Sequence, residues 1–199
     1  QSCAKTVGID LSTDMIATAT KNYPDQEFLV ADGTNFTFAY KFDAVFSNAA
    51  LHWMKPPQEV IKQVYNCLKP KGRFVFEMGG FGNIHNLLNS IIAAAKEVGC
   101  SYADTINYYP TIGEYATLLE NQGFKVSYAQ LIDRPTLLKG DDGVRNWIKM
   151  FRDHVLAEIP AALHDNFFTL VEDIARPILY YNDSWYADYV RLRVTAMKM

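Results

Sequence analysis

Along the first eighty residues, short apolar runs alternate with stretches whose apolar residues recur at helical spacing. Lys5-Thr-Val-Gly-Ile9 is a strand-like run ending at Asp10. Ser12 can cap a helix whose Met15, Ile16 and Ala19 share one face, and that pattern fades near Asn22-Tyr-Pro24. Glu27-Phe-Leu-Val-Ala31 predicts a second strand, ending at Asp32-Gly33. Phe42, Val45 and Phe46 give the apolar weight of a third, which closes in a polar turn carrying Ser47, Asn48, His52 and Trp53. Pro57 sits at a helix start, with Val60, Ile61, Val64 and Leu68 on the buried face. Lys69-Pro-Lys-Gly72 stops that helix, and Arg73-Phe-Val-Phe-Glu77 is a fourth strand.

The later pattern is less regular. Residues 83–98 predict a helix rich in Ile, Leu and Ala, Tyr102 to Tyr109 an aromatic loop, and Thr111 to Gln122 a helix that Gly123 ends. Phe124 to Ile132 predicts a strand, followed by helices around 142–155 and 161–180, the latter disturbed by Pro177. Trp185 to Met197 closes the chain as a long alternating strand. Strands alternating with helices of about ten residues imply crossover units and a mostly parallel, doubly wound α/β sheet of Rossmann-like type. Without repeats, low-complexity tracts or linkers, residues 1–199 are expected to form one domain. Residues 1–82 would be its core, 83–123 and 136–183 a helical insert or lid, and 124–132 and 185–197 the closing strands.

In such sheets ligands bind beyond the carboxyl ends of the strands. At those ends lie Asp10, Asp32, Ser47-Asn48 and Glu77-Met78-Gly79. Asp10 can accept hydrogen bonds from a ribose diol, or it can help cap the following helix. Asp32 can accept from an adenine amino group with Gly33 letting the backbone come close, or the pair can be an ordinary turn. Both acids together point to a nucleoside site. Gly79-Gly-Phe-Gly82 follows a strand as a dinucleotide loop would, but His85 stands where the third small residue belongs, and Asp104 lies in a loop. A hinge is the expectation there.

Composition narrows the class. At 49% hydrophobic and 21% charged residues, with a net charge of -3, the chain reads as a globular protein without a basic nucleic-acid face. The longest apolar runs, such as Ser90 to Ala95, are too short for a membrane span. Cys3, Cys67 and Cys100 are few and widely spaced, which fits a reducing compartment, so a cytoplasmic location is expected. The four histidines lack metal-ligand spacing, so no metal is expected. No Gly-x-Ser-x-Gly elbow occurs. His52 reads as a base, a substrate contact or a structural residue, and Trp53 as a core or pocket-wall aromatic.

Gly8 to Met15, Ala31-Asp-Gly33, Phe42 to Trp53 and Leu68 to Phe76 resemble successive motifs of class I S-adenosylmethionine-dependent methyltransferases, in order and spacing. The Ser47 to Trp53 turn, and the pattern Asn146-Trp-Ile with Asp188-Tyr-Val-Arg-Leu-Arg-Val, are more narrowly similar to the trans-aconitate 2-methyltransferase group, with malonyl-acyl-carrier-protein methyltransferases more distant. The resemblance implies S-adenosylmethionine as cofactor. Asp10 would bind the ribose hydroxyls, Leu11 and Met15 would flank the adenine, Asp32 would accept from its amino group and Gly33 would sit beside it. Asn48 and Ala49 would border the methionine portion, with His52 and Trp53 toward the substrate. The family's first strand, glycine-rich loop and helix do not precede Lys5, so an upstream segment of about 30 residues or more is expected in the natural protein.

Methyl transfer from a sulfonium to a small molecule is an in-line displacement, and a carboxylate acceptor needs no general base. An acceptor of higher pKa would call on His52. From their place in the insert, Tyr108, Tyr109, Arg145 and Trp147 could line the substrate side, and Arg134, Arg145 or Arg152 could meet an acidic acceptor. One rival is a truncated, non-catalytic methyltransferase-like partner subunit, completed as a homodimer. Another is a dehydrogenase holding NAD near Gly79–Gly82.

Overall fold

The structure is a computed structural model that describes residues 4–199; Cys3 lies outside the described residues. In chain order the elements are β1 (Val7–Asp10), α1 (Thr13–Asn22), β2 (Glu27–Val30), β3 (Phe42–Asn48), α2 (Pro57–Cys67), β4 (Leu68–Gly79) and α3 (His85–Glu97). They continue with α4 (Ile112–Gln122), β5 (Phe124–Leu138), α5 (Gly143–Phe151), α6 (Asp153–Glu158), α7 (His164–Leu179), β6 (Tyr180–Tyr181) and β7 (Ser184–Lys198). Two compact units share these elements. The first holds the chain up to Phe76, Gly113–Ala129 and Val194–Met199; the second holds Glu77–Ile112 and Gln130–Arg193.

In the first unit, β1 and β2 pair in parallel from Val7 opposite Glu27 to Asp10 opposite Val30. Ser12 caps α1 as its sequence context predicts, its Oγ accepting from the Met15 amide at 3.2 Å. Among the described residues this ladder is separate from the larger sheet, whose strands run β3-β4-β7-β5 with β6 attached to β7. The core of the unit is Val60, Ile61 and Val64 of α2, Phe74 and Phe76 of β4, Tyr115 and Leu119 of α4, and Phe124 of β5. The aromatic rings interlock, with Phe74 and Phe76 4.7 Å apart and Phe76 and Tyr115 5.2 Å apart.

Cys67 closes α2 and is buried, its Sγ donating to the Val64 carbonyl at 3.2 Å. Burial pushes the thiol from 9.0 up to about 11. Between those pH values the folded chain keeps a proton that the unfolded chain releases, so stability should fall as pH rises. Urea titrations at stepped pH should show that decline, and Cys67→Ala should make it shallower. An unchanged slope in the variant would refute this assignment.

In the second unit α3 packs on α7. Leu87, Ile91 and Ala95 of α3 meet Phe167, Val171 and Ala175 of α7, Val144 and Ile148 of α5, and Trp185 and Ala187 of β7. Ile84 precedes α3 in the left-handed region at φ 51° and offers no capping oxygen. The cap comes from β7, where Asp188 accepts from the amides of Asn86 at 2.7 Å and Leu87 at 3.4 Å. Pro177 lies within α7, which continues to Leu179.

Candidate functional site

The β1–β2 ladder brings the first group of residues together. Asp10 ends β1, and its Oδ1 accepts from the Ser12 amide at 2.8 Å. Its Oδ2 accepts from none of the described residues. Beside it Leu11 and Met15 are 70% and 60% exposed, an apolar pair facing solvent. On the neighbouring strand, Asp32 Oδ1 accepts from both the amide and the hydroxyl of Thr34 at 2.8 Å. Those bonds hold its carboxyl below the usual range. Two carboxylates, each with an oxygen to spare, beside exposed apolar side chains suit a nucleoside, whose hydroxyls and amino group donate while its ring needs apolar faces.

Gly33 is buried, and a Cβ there would stand 2.5 Å from the Met54 Sδ. The turn after β2 therefore abuts the turn after β3, and Gln63 of α2 donates to the Thr34 carbonyl at 3.4 Å. Between β3 and Met54 lie the remaining candidates. Asn48 ends β3, and Ala49 follows at φ 54°, a left-handed conformation that costs a non-glycine residue on the order of 1–3 kcal/mol. His52 is buried, whereas the adjoining Trp53 is 43% exposed, its ring 5.5 Å away.

The second unit holds the residues expected near substrate. Tyr109 donates to Asn107 at 3.0 Å, and its ring lies where a Cβ on Gly79 would be, 2.5 Å away. Burial raises the Tyr109 phenol, and it pushes that of Tyr102, which hydrogen-bonds His154 at 2.8 Å, up to about 12. Trp147 is buried and donates its Nε1–H to the Tyr189 hydroxyl at 2.7 Å. Tyr108 is half-buried in the same loop as Tyr109. The three cations considered for an acidic ligand are all engaged within the protein. Arg145 grips Glu172 with two bonds of 2.9 and 2.8 Å, Arg134 pairs with Glu77 at 3.0 Å, and Arg152 pairs with Asp104.

The glycines after β4 serve packing. Gly80 lets Leu131 and Leu192 close in, its amide donates to Val190 at 3.0 Å, and the Phe81 amide donates to Pro110 at 2.8 Å. Those amides face protein carbonyls, whereas a pyrophosphate would need them free. Arg191, which the sequence reading quoted within Asp188-Tyr-Val-Arg-Leu-Arg-Val without giving it a role, is half-buried on β7 with its guanidinium 4.3 Å over the Tyr189 ring.

Several known proteins similar to this chain are methyltransferases. A family model described as "Methyltransferase domain" matches residues 1–76. A Schizosaccharomyces pombe protein described as an uncharacterized methyltransferase is 35% identical over 98% of this chain and 79% of that protein. Trans-aconitate 2-methyltransferase of Escherichia coli is 35% identical over 38% of this chain, and that alignment spans only 30% of the enzyme. The fold resembles Haemonchus contortus phosphoethanolamine N-methyltransferase 2, solved with phosphomonomethylethanolamine and S-adenosylhomocysteine (TM-score 0.55, 19% identity, 98% of this chain and 43% of that one). A relative 35% identical and matched along nearly the whole chain leads to one conclusion: the chain belongs to the class I S-adenosylmethionine-dependent methyltransferases.

Proposed function

We propose that this chain transfers a methyl group to a carboxylate of a small molecule, with the donor held in the first unit. Bound S-adenosylmethionine supplies an electrophilic methyl on a sulfonium, which a carboxylate oxygen takes in line, leaving S-adenosylhomocysteine and a methyl ester. Asp10 accepts from the ribose hydroxyls and Asp32 from the adenine amino group. Leu11 and Met15 flank the base, and Gly33 lies beside it. Asn48 and Ala49 border the methionine portion, and His52 and Trp53 face the acceptor. A carboxylic acid, with a pKa of about 4, is ionised at neutral pH, so the acceptor needs no base and His52 serves as a wall. The similarity to trans-aconitate 2-methyltransferase supports a carboxylate acceptor.

The carrying observation is Asp10, a strand-end carboxylate with an unengaged oxygen beside two exposed apolar side chains. Calorimetric titration with S-adenosylhomocysteine should saturate, and Asp10→Ala should weaken binding about 10–100-fold, since a hydrogen bond to a charged group contributes ~1.5–3 kcal/mol. A folded chain that shows no binding, or a variant that binds as tightly as the parent, would sink the assignment. The separate β1–β2 ladder favours a second reading, a non-catalytic partner subunit. That reading requires a dimer in sedimentation and no adenosyl ligand.

A further inference from the structure

We propose that the second unit carries a binding site for a small zwitterion with an apolar body, the chemistry of a free apolar amino acid, built around Arg176. A cleft of about 470 Å³ opens there, between the end of β5 and the turn after it, the last turn of α7 and the β6–β7 hairpin. That volume suits a small organic ligand. Every residue lining it lies within Gln130–Arg193, and so within one unit. None of the residues assigned above to the methyl donor or its acceptor is among them.

The hairpin builds the end that would hold the carboxylate. Asn182 and Asp183 turn it at φ 50° and 53°, the left-handed pair that a two-residue hairpin loop needs, and Tyr180 stands opposite Trp185. The two rings meet edge to face at 5.0 Å. Arg176 lies over both, 4.6 Å from the Tyr180 centroid and 5.0 Å from that of Trp185. It sits in the last turn of α7, where the helix dipole favours a cation. The rings attract the guanidinium but take up none of its five N–H donors, and its side chain makes no hydrogen bond or ion pair among the described residues. Trp185 adds a second open donor. The residue is 4% exposed, yet its indole N–H has no hydrogen-bond partner among the described residues. A buried indole N–H ordinarily finds an acceptor, and a carboxylate in the cleft supplies one while its oxygens also meet the planar arginine fork.

Charge balance selects the rest of the ligand. Asp141 and Asp183 line the same cleft as Arg176 and Lys139, and none of the four is ion-paired among the described residues. A dianion such as phosphate would meet the two acids, and a bare amine would meet the two cations. A molecule with one charge of each sign matches both sides. Leu137, Leu138 and the two rings leave an apolar wall for its body.

Calorimetry with L-phenylalanine as probe tests the site, with 3-phenylpropionate and phenethylamine as controls that keep one charge each. The parent chain should bind L-phenylalanine about 10-fold or more tighter than either control, the loss expected when a charged hydrogen bond goes unmade. Arg176→Met should weaken L-phenylalanine and 3-phenylpropionate about 10-fold and leave phenethylamine unchanged. Arg176→Lys should fall between that variant and the parent, because an ammonium keeps the charge without the fork. Asp141→Asn with Asp183→Asn should show the reverse pattern, weakening L-phenylalanine and phenethylamine and sparing 3-phenylpropionate. Circular dichroism melting confirms that each variant is folded, and the lysine variant carries the test if the methionine one is not. No binding of L-phenylalanine by the folded parent, equal binding by parent and Arg176 variants, or a single-charge control that binds as tightly as L-phenylalanine would each overturn the proposal.

Discussion

Arg152→Met should lower folding stability by about 3–5 kcal/mol, the cost of leaving one member of a buried ion pair without its partner. The Arg152 side chain is 1% exposed and that of Asp104 is 5% exposed, so neither charge is relieved by water. Arg152 Nε donates to Asp104, Nη2 to Asn107 at 2.7 Å and Nη1 to the Phe151 carbonyl at 2.6 Å. Its guanidinium also lies 5.5 Å over the Trp147 ring. Methionine keeps the apolar stem and removes every donor, which strands the Asp104 carboxylate in a dry site. Pairing Arg152→Met with Asp104→Asn should return part of the loss, because the stranded charge is then gone. Urea denaturation of the three variants measures this. A single-variant loss under about 1 kcal/mol would show that water reaches the pair, as it does at surface ion pairs. Asn107 also accepts from Tyr109, so the same change should loosen the aromatic loop.

Arg152 also shows where sequence periodicity stops. One helix was expected over residues 142–155, and two are found, α5 and α6, because Arg152 leaves helical geometry at φ −141° and ψ 29°. Its side chain is held by Asp104 and Asn107, more than forty positions earlier in the chain, and no local pattern records that bond. The strand from Phe124 was expected to end at Ile132 but runs to Leu138. Asp133-Arg-Pro-Thr reads as a loop, yet β5 is an end strand in its sheet, where a proline need not break a ladder. Likewise the α3 cap comes from Asp188, 102 residues away.

What was legible rests on short-range chemistry. Ser12 capping α1, Pro57 opening α2 and the acids ending β1 and the turn after β2 each follow from a few neighbouring residues. The choice among cations was illegible for the opposite reason. Arg134 meets Glu77 across 57 positions and Arg145 meets Glu172 across 27, so only the folded chain shows which guanidinium is left open.

Phe76→Ala should cost about 3–5 kcal/mol and should also weaken S-adenosylhomocysteine binding several-fold, although Phe76 is not among the proposed ligand contacts. Phe76 is 1% exposed, and its ring is the middle member of a stack with Phe74 at 4.7 Å and Tyr115 at 5.2 Å. Deleting it opens a ring-sized cavity between β4 and α4. Phe74 in turn meets Phe124 at 6.0 Å, and Phe124 meets Tyr65 of α2 at 5.2 Å. Loosening that stack frees the helix whose Gln63 holds the Thr34 carbonyl, and Thr34 in turn fixes the Asp32 carboxylate with two bonds. Phe76→Leu keeps most of the volume and should lose far less on both counts. Denaturation midpoints, amide exchange in α2 and calorimetry on the two variants read each link in turn. Exchange that accelerates in α2 together with weaker binding would trace the effect to the turn at Asp32. A large stability loss with unchanged binding would mean that the turn is held without α2, by the Gly33–Met54 contact alone.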